Sequence, residues 1–116
     1  MQSWKVLAPG SVSQDRLVMT EVAEPLPLAG ELVIEVAACA MCRTDLQIVE
    51  GDLPAHQLPV TPGHQVVGTV VAVGSSVDQT RVGQRVGLAW IASACERCRF
   101  CLEGRENLCP EAPLCG

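Results

Sequence analysis

Four cysteines between residues 95 and 109 restrict what this chain can fold into more than any other feature. In Cys95-Glu-Arg-Cys98-Arg-Phe-Cys101-Leu-Glu-Gly-Arg-Glu-Asn-Leu-Cys109 the thiols stand at spacings of three, three and eight. The residues between them are mostly polar, so the segment cannot bury a core and something else must hold it. Short loops between cysteines let four sulfurs converge on one tetrahedral Zn²⁺. Arg97, Arg99 and Arg105 fit that reading, because four thiolates around Zn²⁺ leave about two net negative charges to offset. Disulfides and four unconnected buried thiols are the competing readings. Three cysteines separated by two residues suit a metal better than paired bridges, and the polar spacers argue against simple burial.

Outside this lobe the chain reads as mainly β. Its 116 residues suffice for one domain, 1–116, that buries roughly two-thirds of its unfolded surface. Aromatics make up only 3%, so the core must come from Val, Leu, Ile and Ala, a set that favours strands. The net charge, 8 − 13 = −5, provides no footprint for nucleic acid or an anionic membrane. No apolar run approaches about 18 residues, and Met1-Gln-Ser-Trp-Lys5 lacks a signal-peptide pattern. Seven cysteines without an export signal point to a reducing, cytoplasmic setting and to metal use.

Along the chain, strands are expected at Trp4–Leu7, Leu17–Val22, Glu31–Val36, Val66–Val73 and Val82–Trp90, separated by Gly and Pro. The small residues Ala37-Ala-Cys-Ala40 predict a tight corner after the third strand. Gly68 inside the fourth predicts a bulge or bend, with Gly74 at its end. A short helix is expected over Thr44–Glu50, capped by Thr44 or Asp45 and ended by Gly51. No Gly-rich strand-to-helix phosphate turn occurs, so a Rossmann domain is absent from these residues.

A second set of chemically useful residues lies in Cys42-Arg-Thr-Asp45 and Pro62-Gly-His64-Gln65. A thiolate and an imidazole in loops can hold Zn²⁺ with open positions for water or substrate. Thr44 offers a hydroxyl as a proton relay. Asp45 could accept the spare imidazole N–H of His64 and fix its tautomer. Spacing alone does not separate this from a buried free cysteine and a hydrogen-bonded histidine.

Taken together, the Cys-x₂-Cys-x₂-Cys-x₇-Cys lobe, the Cys-Arg-Thr-Asp and Gly-His segments, and Val-Gly before a Gly-x-x-Val-Gly turn resemble the zinc-dependent alcohol dehydrogenases of the medium-chain dehydrogenase/reductase superfamily. The likeness runs from Val6 to Pro110. It implies the GroES-like β-barrel of that family's N-terminal catalytic domain, with short helices and a Cys₄ zinc lobe over 95–109. It implies Cys42 and His64 as ligands of a catalytic zinc, and Cys95, Cys98, Cys101 and Cys109 as ligands of a structural one. By the same likeness Thr44 accepts the alcohol's proton, Asp45 supports the ligand histidine and Arg43 contacts the cofactor pyrophosphate. Zinc then acidifies a small alcohol, which yields a hydride to NAD or NADP, with an aldehyde as partner substrate. A homo-oligomer is compatible with this reading.

The sequence also departs from the family. Gln65 stands where Glu is usual, which removes a charge near the metal. Gln47 replaces a frequent relay histidine, leaving proton exit to water or to His56, a residue expected to be solvated. In the family a third ligand and the Rossmann domain lie further along, so the chain is expected to be a fragment or truncated product without activity alone. Cys115 is disfavoured as a substitute ligand. Cys39, which makes Cys39-Ala-Met-Cys42, is expected to be a packed small residue, because no thioredoxin-like βαβ pattern surrounds it. The rival functions are a non-catalytic zinc-binding β-barrel module and, by fold analogy alone, an oligomeric scaffold of chaperonin type.

Overall fold

The computed structural model describes residues 1–55 and 57–113. His56 and Cys115 therefore lie outside the described residues. Among the described residues, five strands form two antiparallel sheets. In the first, β1 (Gln2–Val6) pairs with β2 (Leu17–Glu21), from Gln2 opposite Glu21 to Val6 opposite Leu17. The second has the order β3 (Leu32–Ala40), β4 (Gln65–Val73), β5 (Arg85–Leu88). Helix α1 (Arg43–Glu50) lies between β3 and β4, and the cysteine lobe carries the short helix α2 (Arg99–Leu102) and a 3₁₀ turn at Glu106–Leu108. No helix among the described residues is long and apolar enough to cross a membrane.

β4 forms because Val66, Val67, Val70, Val71 and Val73 restrict χ1 and prefer the extended backbone. Its buried positions are Gly68 and Val70. Gly68 lies so close to β3 that a Cβ there would stand 2.3 Å from the carbonyl oxygen of Glu35 and 2.5 Å from Ile34 Cγ2. Opposite this contact the register slips: Val36 pairs with Gly68 and Ala38 with Val67, leaving Ala37 as an extra residue on β3. The bulge expected at Gly68 therefore falls on the partner strand, and the close backbone approach lets β3 bend.

That bend corrects the expected corner at 37–40. β3 continues through Ala40, which pairs with Gln65, because small side chains accommodate a bulged strand without ending its ladder. β5 is shorter than expected. A 3₁₀ turn at Gln79–Arg81 and a positive φ of 85° at Gly83 occupy the residues before it. The N–H of Gly83 donates to Val70 O at 2.8 Å, which seats this turn against β4.

The main apolar cluster is small and local. Ile48 and Val49 of α1 meet Val6 of β1 and Val60, with Ala55 packed beside them. Val6 and Val60 exchange both backbone hydrogen bonds, at 2.8 and 3.1 Å, so the segment before His64 is tied to the first sheet. α1 ends where expected: Gly51 adopts φ 88° and its N–H donates to Gln47 O. Gly68→Ala should lower the unfolding free energy by about 1–3 kcal/mol, the usual cost of overpacking. Denaturant unfolding followed by circular dichroism would contradict this if the two midpoints coincided.

Candidate metal centres

The lobe is closed at its base by a hydrogen bond from Ala92 N–H to Pro113 O at 3.0 Å. Within it, Glu96 adopts a left-handed φ of 58°, which turns the chain between Cys95 and Cys98. Cys98 precedes α2 without using its side chain as a cap, so its sulfur faces the other thiols. All four sulfurs lie within 4.8 Å of one another. Cys98 Sγ and Cys101 Sγ are 3.5 Å apart, and Cys95 Sγ and Cys101 Sγ 3.9 Å. Four sulfurs about 2.3 Å from one tetrahedral ion would be separated by about 3.8 Å. A disulfide needs about 2.0 Å, and these cysteines are free. The spacing therefore suits a shared ion and not a covalent bridge.

Backbone N–H groups prepare one of these sulfurs to ionise. The N–H of Arg97 and that of Cys98, the latter at 3.4 Å, bring the Cys95 thiol down to about 6. Burial and hydrogen bonding with Cys98 and Cys109 push Cys101 up to about 12. Sulfurs this close cannot all carry charge unless a cation stands among them. The arginines act differently from the expected direct compensation. Arg97 pairs with Glu111 at 2.6 Å and Arg105 with Glu103 at 3.1 Å, while Arg99 and Arg105 lie against the Phe100 ring. Their exposed ion pairs are weak holders of the lobe.

The second group assembles where β3 passes into α1. Cys42 is the N-cap, in place of Thr44 or Asp45, and its sulfur accepts the Thr44 N–H at 3.3 Å. Asp45 closes the capping box, its Oδ2 accepting the Cys42 N–H at 2.7 Å. The same carboxylate reaches across to the turn before β4. Its Oδ1 accepts the Gly63 N–H at 2.9 Å and lies 3.1 Å from His64 Nδ1. His64 Nε2 then stands 3.2 Å from Cys42 Sγ.

Asp45 is fully buried and His64 nearly so. Burial opposes ionisation of Asp45, but the Cys42 N–H, the neighbouring His64 and the Gly63 N–H outweigh it and hold the carboxyl below its usual range. A carboxylate at Oδ1 favours the tautomer with hydrogen on Nδ1, which leaves Nε2 a lone pair directed toward the Cys42 sulfur. Tetrahedral ligation by sulfur and imidazole would separate these two atoms by about 3.6 Å, near the observed distance. Both Asp45 oxygens already accept N–H groups, so the carboxylate suits a supporting role better than a ligand's.

The remaining candidates lie close in sequence but differ in exposure. Thr44 is half-buried in the first turn of α1, whereas Arg43 is exposed. Gln47 is half-buried, and Gln65 is exposed at the start of β4. Cys39 is exposed too, although its sulfur touches the Gly63 backbone. Two features were missed in the sequence: Cys42 as the cap and the Gly63 N–H as a donor to Asp45. The Cys-x-x-Asp spacing, a sulfur version of the capping box, was a signal for the first.

Residues 28–116 match the family described as alcohol dehydrogenase GroES-like domain. A protein named "Probable alcohol dehydrogenase AdhA" from Mycobacterium tuberculosis is 43% identical over 100% of this chain and 35% of its own length. Among solved structures, an alcohol dehydrogenase (rspB) from Escherichia coli CFT073 complexed with NADH is 30% identical, with a TM-score of 0.86 over 100% of this chain and 32% of that one. A cobalt- and zinc-bound thermostable alcohol dehydrogenase from Pyrobaculum aerophilum is 28% identical, with a TM-score of 0.85 over 96% of this chain and 32% of that one. The chain thus spans about a third of the length of these relatives. Mainly β architecture, the cysteine lobe and these likenesses agree: the chain belongs to the zinc-dependent alcohol dehydrogenases of the medium-chain dehydrogenase/reductase superfamily, whose GroES-like domain it carries.

Proposed function

We propose that the chain is the zinc-binding catalytic portion of an NAD- or NADP-dependent enzyme that interconverts small alcohols and aldehydes. The observation that carries this is the line Asp45 Oδ1–His64 Nδ1, His64 Nε2–Cys42 Sγ, at 3.1 and 3.2 Å. A structural thiol needs no imidazole lone pair held against it by a buried carboxylate. In this reading Cys42 and His64 hold one zinc and Cys95, Cys98, Cys101 and Cys109 another. The cobalt and zinc in the Pyrobaculum relative support the metal assignment, and NADH in the Escherichia coli relative supports the cofactor.

Zinc held by Cys42 and His64 would supply Lewis acidity toward an alcohol hydroxyl. Thr44 accepts the hydroxyl proton as a relay and passes its own to water, and Asp45 keeps the imidazole in the tautomer that presents Nε2. Exposed Arg43 is the candidate contact for the cofactor's pyrophosphate. The four-sulfur lobe leaves no open position for substrate and serves to hold the fold. The chain contains no Gly-rich phosphate turn, so we infer that it has no dehydrogenase activity by itself. A cytoplasmic setting and a homo-oligomer accord with this reading, which includes no nucleic-acid or membrane partner.

Metal analysis of the purified chain should find two zinc ions, falling to one in Cys42→Ser. A single zinc, unchanged by Cys42→Ser, would instead identify a non-catalytic zinc-binding module. Asp45→Asn should weaken zinc at the Cys42–His64 pair about 10- to 100-fold, because an amide nitrogen cannot accept the N–H groups facing it. The lobe should keep its zinc in that variant, as competition with a chromophoric chelator would report. The 116-residue chain should not reduce NAD or NADP with simple alcohols, and turnover by it would refute the inferred inactivity.

A further inference from the structure

We propose that Cys39, a thiol outside both sulfur groups, is a positioning residue that sets the distance between His64 and Cys42. The inference rests on the reading of that pair as a metal site. Cys39 lies on β3 opposite Val66, two residues along from His64. Its sulfur stands against Gly63: a Cβ on that glycine would lie 2.7 Å from Cys39 Sγ, closer than real contacts allow. The sulfur's one polar contact among the described residues, to Ala40 O at 3.9 Å, is too long to direct it. Its placement against Gly63 is therefore a matter of packing.

Gly63 is held by two contacts. Its N–H is bonded to Asp45 Oδ1 at 2.9 Å, and Cys39 Sγ occupies the space beside its Cα where a side chain would stand. Its φ of 115° is the left-handed turn that brings His64 around toward Cys42. The imidazole begins at the very next residue, so displacement of Gly63 passes directly to Nε2. A smaller side chain at 39 frees Gly63 to move outward. A longer one pushes it inward or tilts it off Asp45. Serine keeps a smaller atom at the γ position and so retains more of the contact than alanine.

The test is titration of the chain with Co²⁺, read by its visible ligand-field bands, together with hydrogen exchange of the Gly63 amide in the metal-free chain. The all-sulfur spectrum of the Cys95–Cys109 lobe reports folding in each variant. Cys39→Ala and Cys39→Leu should each weaken the second cobalt about tenfold, the low end for residues that orient a ligand, and should speed Gly63 exchange. Cys39→Ser, which keeps an atom at the γ position, should weaken the second cobalt less than Cys39→Ala and keep Gly63 exchange slower than in that variant. Parent-like affinity and exchange in Cys39→Ala would overturn the proposal. So would a weaker thiolate-to-cobalt charge-transfer band for the second cobalt in Cys39→Ser, since Cys39 would then be a ligand beside Cys42 and not a spacer. If the parent chain took up only the lobe's cobalt, the metal reading of Cys42 and His64 would fail and the proposal with it. Gly63 exchange would in that case still distinguish a packing contact from none.

Discussion

The buried carboxylate of Asp45 ties the start of α1 to a turn 18 residues further along the chain. It accepts the N–H that begins α1, the N–H of the turn before β4, and the Nδ1 hydrogen of His64. A charge taken out of water is tolerated only when such donors surround it, and removing one partner from a buried pair costs about 3–5 kcal/mol. Here the donors come from the backbone and one ring, so their positions follow from the fold. The carboxylate therefore fixes helix, turn and imidazole relative to one another.

Its surroundings explain how so small a core supports this arrangement. Ile48 and Val49, on the turn of α1 that follows Asp45, seat the helix on Val6 and Val60. Val60 is bonded to β1 only a few residues before Gly63, which fixes the approach of the turn. On the other side, the bulge at Ala37 and the contact at Gly68 bend β3 so that Ala40 pairs with Gln65 and Cys42 follows within reach of His64. Packing, pairing and capping converge on one place, the usual condition for a precisely held site.

The cysteine lobe is organised on a different principle. Its turns are local, its apolar content is low, and its ion pairs are exposed, so its cohesion depends on what the four sulfurs share. Binding free energies on the order of 10 kcal/mol are known for structural zinc in small peptides. The lobe can thus be stable where its own packing could not make it so. The Cys42–His64 pair is the opposite case, since capping, a buried carboxylate and strand pairing all contribute to its geometry.

Local chemistry was legible in the sequence wherever neighbours along the chain decide it. The clustering of Cys95, Cys98, Cys101 and Cys109 follows from short spacers, the valine run of β4 from χ1 restriction, and the helix end at Gly51 from the left-handed φ that glycine accepts. Cys42, His64 and Asp45 were nominated by their motifs, but bare spacing could not bring residues 42 and 64 together. Tertiary structure alone decided what depends on close approach. It made Cys42 the cap, since Asp45 reaches back to the Cys42 N–H and on to Gly63. It carried β3 through Ala40, since Gly68 leaves room for a bulge. It turned Arg97 and Arg105 toward carboxylates, and it set the sulfur of Cys39 against Gly63. Spacing along a chain specifies which groups can meet locally, while distant pairs meet only where packing and buried hydrogen bonds place them.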